Sequence, residues 1–168
     1  MAIKESILPE FDHEMKTTRK LLERIPEQDA AWQPHAKSMT LGKLGIHLAF
    51  LPRWAAMTMS ETELDMNPPG GPAFQMPSFE TTQGALAMFD EHVAGARAAI
   101  ADASDQDFMV PWTLKNAGQT IFSMPRVACM RSFVVNHIIH HRGQLSVYLR
   151  LRDVPIPSIY GPSADEAF

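Results

Sequence analysis

The sequence predicts an all-α protein, a four-helix bundle with one long crossover and a short extended excursion before its last helix. Three segments carry apolar residues at helical spacing, and a fourth helix is predicted from Pro125 to Leu151. Between the second and third helices, the stretch Asn67-Pro-Pro-Gly-Gly-Pro72 excludes regular structure and suits a crossover. A chain of 168 residues with this composition matches one ordinary domain, so residues 1–168 are assigned to a single domain.

The first helix is predicted from a stripe near the start of the chain. Neighbouring members of the stripe are 3 or 4 residues apart, which places them on one face of a helix. They are Ile7, Phe11, Met15, Thr18, Leu22 and Ile25. Pro26 ends the helix.

The second helix is predicted to begin after Thr40, whose side chain suits an N-cap. Its stripe consists of Leu41, Leu44, Leu48 and Leu51. Gly42 and Gly45 lower its helix propensity. Pro52 removes the hydrogen bond to the Leu48 carbonyl, so a kink is expected there.

The third helix follows Thr81 or Thr82 and is rich in alanine. Its stripe consists of Leu86, Phe89, Val93, Ala96 and Ile100. The helical pattern then stops, and residues 112–114 and 120–122 flank the turn-rich Asn116-Ala-Gly118, which suits an extended excursion or a short hairpin. Pro125 suits the first position of the last helix, and Pro155 and Pro157 exclude its continuation.

Composition and charge exclude several classes of partner. The net charge is -4 and the sequence has no basic cluster, so nucleic acid is not expected as a partner. The longest apolar runs are far shorter than the roughly 18 residues of a membrane span. The single cysteine, Cys129, cannot form an internal disulfide, and the first residues lack the pattern of a secretory signal. We therefore expect a cytoplasmic protein with no membrane partner.

Two histidines of the last helix are spaced for metal binding. His137 and His141 are one turn and about 40° apart on a helix, so both imidazoles can point at one ion. Gln144 and Tyr148 lie within about 20° of the same line, whereas His140 projects about 60° away. The alternative is that the histidines are satisfied core or surface residues. A pair of ligands makes only a weak site, so a third is expected.

The candidate third ligand is His47, which lies 3 and 4 residues from Leu44 and Leu51 and so faces the core. Trp54 follows His47 by two turns on nearly the same face, where it is either a wall of a pocket or a buried core aromatic. His13, His35 and His92 lie among polar residues and are expected to be solvated.

Long motifs resemble the DinB family of metal-dependent proteins. They are the stretch His-Ile-Ile-His-His-Arg-Gly-Gln-Leu-Ser-Val-Tyr-Leu-Arg over 137–150, the segment Val154-Pro-Ile-Pro-Ser-Ile-Tyr-Gly-Pro-Ser-Ala-Asp-Glu166, and, near the front, Trp32-Gln-Pro-His35 and Leu41-Gly-Lys-Leu-Gly-Ile-His47. The resemblance covers almost the whole chain. It implies an up-down-down-up bundle and a three-histidine site whose ligands, carried over by motif, are His47, His137 and His141. Dimers are common in this family, so the resemblance also implies a dimer.

Three neutral imidazoles are compatible with Zn, Ni or Fe(II) and leave a coordination position open, as in catalytic sites. An ion there lowers the pKa of a water molecule, for hydrolysis, or of a low-molecular-weight thiol, for transfer. Related families of similar build include thiol-dependent transferases. The leading hypothesis is therefore a metal-dependent thiol transferase; a hydrolase and a metal-binding stress-response protein without turnover are the alternatives.

The hypothesis assigns roles to four further residues. Tyr148 and His140 are the candidate catalytic groups, and Trp54 and Gln144 are predicted to line the substrate pocket beside the ion. Tyr148 has a structural alternative, in which its hydroxyl caps the core through a backbone carbonyl. A homodimer is also expected, because Gly143 lies in mid-helix, where it permits close approach either of a second copy or of a helix of the same chain.

Overall fold

The computed structural model describes residues 2–167, which form helices and a small sheet. The helices are α1 (Ile3–Leu22), α2 (Leu41–Phe50), α3 (Pro52–Ser60), α4 (Thr82–Asp102), α5 (Asp105–Met109), α6 (Arg126–Cys129) and α7 (Asn136–Leu151). A 3-10 turn (Glu27–Asp29) precedes α2, and a π-helical segment (Met130–Val135) joins α6 to α7. The strands are β1 (Glu63–Asp65), β2 (Pro111–Asn116) and β3 (Gln119–Pro125).

The sheet shows that the prediction of a purely all-α four-helix bundle is wrong. β2 lies at the centre, antiparallel to β3 and parallel to β1. β2 and β3 form a hairpin whose two turn residues, Ala117 and Gly118, both have positive φ, as a type I′ turn requires. β1 has only 3 residues, too few to show the alternating pattern of a strand, and it forms because β2 offers it a free edge.

The second predicted helix is divided into α2 and α3 at Pro52. Pro52 has no N–H to donate and is the first residue of α3. The glycines of α2 reflect close packing, since a Cβ at Gly45 would lie 2.6 Å from the Ile25 side chain and one at Gly42 would lie 3.1 Å from the Ala30 carbonyl oxygen and the Phe79 ring. The lower helix propensity of glycine is therefore offset by the close approach of α2 to its neighbours.

The helices enclose an apolar core that includes the fully buried Phe11, Phe89, Trp112 and Ile138. α1 packs against α4 and α7, and α2 also packs against α4 and α7. This arrangement brings one face of α2 to one face of α7. Within residues 2–167, no helix has both the length and the apolar character that crossing a bilayer requires.

A buried ion pair joins α7 to α1 and to the C-terminal tail. Arg142, almost fully buried, lies 2.6 Å from the Glu14 carboxylate. Tyr160 of the tail donates its hydroxyl hydrogen to Glu14 at 3.0 Å and accepts a hydrogen bond from Arg142 at 2.7 Å. Since Arg142 directly follows His141, this cluster fixes the position of α7 beside its histidines.

Candidate metal centre

Three histidines meet where α2 packs on α7. His47 projects from α2, and His137 and His141 project from α7. Their ring centroids are 4.5–5.1 Å apart, and one ligand nitrogen from each ring lies within 4.8 Å of the other two. No Cys, Asp or Glu among residues 2–167 joins this group. The cluster therefore consists of three imidazoles without a carboxylate.

Hydrogen bonds orient the two histidines of α7. The Nδ1–H group of His137 donates to the Phe133 carbonyl oxygen at 3.3 Å, and the Nδ1–H group of His141 donates to the Gln144 side-chain oxygen at 2.7 Å. A ring that donates through Nδ1 carries its lone pair on Nε2. Both rings are thus held in the tautomer whose Nε2 can bind a metal ion.

Burial keeps the three imidazoles neutral. It lowers the pKa of His47 to about 4, with a further contribution from the nearby His141 and His137. Burial likewise lowers the pKa values of His137 and His141, although the hydrogen bond from His141 to Gln144 works against this shift. Neutral imidazoles are the protonation state that metal binding requires.

The spacing of one pair of donors suits a small divalent ion. Two nitrogens bound to a tetrahedral zinc ion at about 2.0–2.1 Å lie about 3.3–3.4 Å apart. The Nε2 atoms of His47 and His137 are 3.3 Å apart. Imidazole nitrogens also suit Ni and Fe(II), so the donor set fits this class of metal without selecting one member.

A cavity of about 680 Å³ lies beside His47. One wall is the first part of α2, a second is formed by Ala30 and Ala31, and the third is formed by residues 76–79 of the connection between α3 and α4. His47 belongs both to this lining and to the histidine cluster. A molecule in the cavity therefore contacts one of the three candidate ligands.

The other predicted site residues occupy different places. Gln144 bridges two histidines, since its oxygen accepts from His141 and its Nε2 group donates to the exposed His140 at 3.1 Å. Trp54 is buried among aromatic rings, 5.0 Å from the Phe133 centroid, and Tyr148 packs edge-on against Trp32. Neither Trp54 nor Tyr148 lines the cavity beside His47. His13, His35 and His92 lie outside the histidine cluster.

Two residues that contribute to the site were not predicted from the sequence. The Phe133 carbonyl oxygen, a backbone atom, accepts a hydrogen bond from His137 and orients its ring. The only sign of this contact in the sequence is that Phe133 precedes His137 by four residues. Lys43 lines the cavity, and its spacing of four residues from His47 was available in the sequence.

Comparison with known proteins agrees with the fold and the motifs. Residues 10–145 match the family model of the DinB superfamily. The uncharacterized protein YrdA of Bacillus subtilis (strain 168) is 25% identical over 166 residues, which cover 96% of this chain and 90% of YrdA.

Two crystal structures share the fold. A DinB-like protein from Bacillus cereus superposes with a TM-score of 0.71 at 20% identity, covering 93% of this chain and 97% of that one. The DinB-like protein YjoA of Bacillus subtilis gives a TM-score of 0.66 at 17% identity, covering 88% of this chain and 92% of that one. At these identities the likeness is one of fold.

Proposed function

The chain belongs to the DinB superfamily, and from this premise and its histidine cluster we propose that it is a metal-dependent enzyme that activates a low-molecular-weight thiol for transfer to an electrophile. The observation that supports this proposal is the set of three imidazole ligands. Three neutral imidazoles leave the full charge of a divalent ion uncompensated. They also supply fewer ligands than a closed structural site does. Such a site attracts an anionic fourth ligand, which a thiolate provides.

The chain's own residues hold and orient the site. His47, His137 and His141 would hold the ion, while Gln144 and the Phe133 carbonyl fix the tautomers of the two α7 rings. When bound, a divalent ion lowers the pKa of a thiol or a water molecule that it contacts.

In the transfer reaction, the sulfur forms a bond to a carbon of the electrophile, the leaving group departs with its electron pair, and the thiol proton passes to a base. His140 is the proposed base, because its ring lies 4.9 Å from that of His141. Its Nε2 lone pair accepts a hydrogen bond from Gln144, so His140 takes up the thiol proton only once that hydrogen bond opens. Tyr148 remains the second candidate, acting on a reacting group rather than on the ion.

Elemental analysis followed by turnover assays tests this function. The metal-loaded protein is incubated with 1-chloro-2,4-dinitrobenzene and 2-mercaptoethanol, and with p-nitrophenyl acetate without thiol. Thiol-dependent, metal-dependent product formation that is lost in His137→Ala supports the transferase. Ester hydrolysis without thiol supports the alternative metal-dependent hydrolase, and stoichiometric metal without either activity supports a binding protein. In the transferase, Tyr148→Phe is expected to keep the metal and slow turnover.

We also propose a cytoplasmic homodimer. The buried Cys129 is the only cysteine of the sequence and suits a reducing compartment. For the dimer, the relevant observation is at Gly143, where a Cβ would meet no atom within 4 Å in the described chain. A neighbouring helix of the same chain therefore does not account for this glycine, and the surface at Gly143 is open to a second copy.

A further inference from the structure

The cavity beside His47 has an apolar interior and a basic edge. Most of its lining is apolar, including Ile46, Met39 and Phe79, and none of its lining side chains is acidic. Its volume of about 680 Å³ falls in the range of small-molecule sites, about 300–1,000 Å³. The lining thus suits a small molecule with an apolar body and offers no carboxylate to pair with a cationic group.

Lys43 supplies the positive charge of this cavity. Its side chain is exposed, and it forms no ion pair with any acidic residue in the described part of the chain, 2–167. The Thr40 hydroxyl oxygen accepts the Lys43 backbone N–H at 3.2 Å, which leaves the hydroxyl hydrogen free to donate. An ammonium and a hydroxyl donor therefore both line the cavity, and no anion among the described residues pairs with the ammonium.

The position of Lys43 relates this charge to the histidine cluster. Lys43 and His47 are four residues apart on α2, so their Cβ atoms are about 5–6 Å apart on one face of the helix. A molecule whose anionic group meets Lys43 therefore reaches His47 within one helical turn.

We propose that this cavity binds a small organic monoanion, with its apolar body against Ile46 and Phe79 and its negative group on Lys43 and Thr40. The inference rests on the proposed function and names the substrate class of the same site. An apolar body fills the cavity by the hydrophobic effect, and the single charge orients it so that its reactive end faces His47.

Two matched dyes test the proposal. 8-Anilino-1-naphthalenesulfonate carries one negative charge, and N-phenyl-1-naphthylamine is its neutral counterpart. Their dissociation constants are measured by fluorescence on the metal-free full-length protein at low ionic strength, for the parent and for Lys43→Gln. The matched control is Lys16→Gln, since Lys16 is an exposed lysine of α1 that does not line this cavity. Ala31→Trp, at an exposed lining position, fills the cavity.

We expect Lys43→Gln to weaken the sulfonate by about tenfold and to leave the neutral dye within about twofold. Lys16→Gln should change neither dye, and Ala31→Trp should weaken both. Absence of binding to the parent, an equal effect of Lys43→Gln on the two dyes, or unchanged binding in Ala31→Trp overturns the proposal. Circular dichroism of each variant establishes that it is folded.

The dye measurements do not depend on the metal. If the protein binds no metal but the dyes respond as expected, the proposed enzyme function fails and the anion cavity stands. If the protein binds metal through its histidines but Lys43→Gln does not discriminate between the dyes, the cavity proposal fails alone.

Discussion

The Nε2 atoms of His47 and His137 face each other at 3.3 Å although the two residues are 90 positions apart in the chain. The Nδ1–H of His137 is already donated to the Phe133 carbonyl, so its Nε2 carries a lone pair. In the metal-free protein, His47 must donate a hydrogen to this lone pair, whereas a bound cation would let both rings present lone pairs. The two Nε2 atoms are therefore placed so that both can bind one cation.

The first prediction concerns the ligands. Ala at His47, His137 or His141 should remove most metal affinity, because each variant retains two imidazoles. His13→Ala is the matched control, since His13 is exposed and lies outside the cluster. Isothermal titration with Zn²⁺ and elemental analysis measure the effect. An equal loss in all four variants would refute the assignment.

The second prediction concerns pH. Metal binding should persist below the usual imidazole pKa of about 6.5 and decline as the pH approaches about 4, because burial lowers the pKa of His47 to about 4 and lowers those of His137 and His141. Zn²⁺ titrations between pH 7.5 and 4.5 measure this profile. A decline centred at pH 6.5 would contradict it.

The same pKa shifts affect the stability of the metal-free protein. Unfolded imidazoles titrate near pH 6.5, so below that value the unfolded chain binds more protons than the folded one. The contribution of these histidines to the free energy of unfolding is therefore complete above about pH 6.5 and is lost as the pH falls toward about 4. Urea unfolding at pH 7.5 and 5 should show this loss, and His47→Gln should reduce it while His13→Gln does not.

The third prediction concerns Gln144. Replacing it by Leu removes the acceptor that fixes the tautomer of His141, and should weaken metal binding about 10–100-fold. Gln144→Glu keeps an acceptor and should retain more affinity than Gln144→Leu. Ser146→Ala is the control, because the Ser146 hydroxyl donates only to the Gly143 carbonyl. Unchanged affinity in Gln144→Leu would show that the hydrogen bond does not support the site.

The fourth prediction concerns the buried ion pair. Arg142→Ala leaves the carboxylate of Glu14 without its charged partner and should lower the free energy of unfolding by about 3–5 kcal/mol. The exposed pair between Arg97 and Asp12 is the matched comparison, and Arg97→Ala should cost about 0–1 kcal/mol. Urea unfolding measures both. Similar losses of unfolding free energy in the two variants would show that burial does not increase the cost of removing one partner of an ion pair.

The sequence predicted the histidine cluster better than the fold class. The spacing of His137 and His141 and the inward face of His47 follow directly from helical periodicity, and the structure brings all three together. Periodicity also locates the interiors of the main helices. It carries no information about β1, whose three residues pair only because β2 lies beside them.

Helical periodicity could not predict two other features of the structure. The π-helical segment Met130–Val135 offsets the faces of α6 and α7, so an uninterrupted helical period misplaces residues before His137 relative to those after it. The cavity walls at Ala30 and Phe79 come from loops, and they approach α2 closely because Gly42 lacks a side chain. Such a wall depends on tertiary packing, which spacing along one segment cannot describe.

The last prediction concerns the dimer. Gly143 costs about 0.5–1 kcal/mol relative to Ala in mid-helix, and the described chain places nothing where its Cβ would be. Val147 and Leu151, one and two turns later on the same side of α7, are 57% and 55% exposed. A second copy that covers this surface would bury both side chains and use the close approach that Gly143 permits.

Sedimentation at micromolar concentration should therefore give a mass near twice the 18.7 kDa of one chain. Gly143→Arg should shift it to the monomer mass, because a long charged side chain would separate the two surfaces. Gly95→Arg is the control, since Gly95 is an exposed α4 glycine whose Cβ position is equally open. A monomer in the parent protein, or a Gly143→Arg variant that remains dimeric, would exclude this face of α7 as the interface.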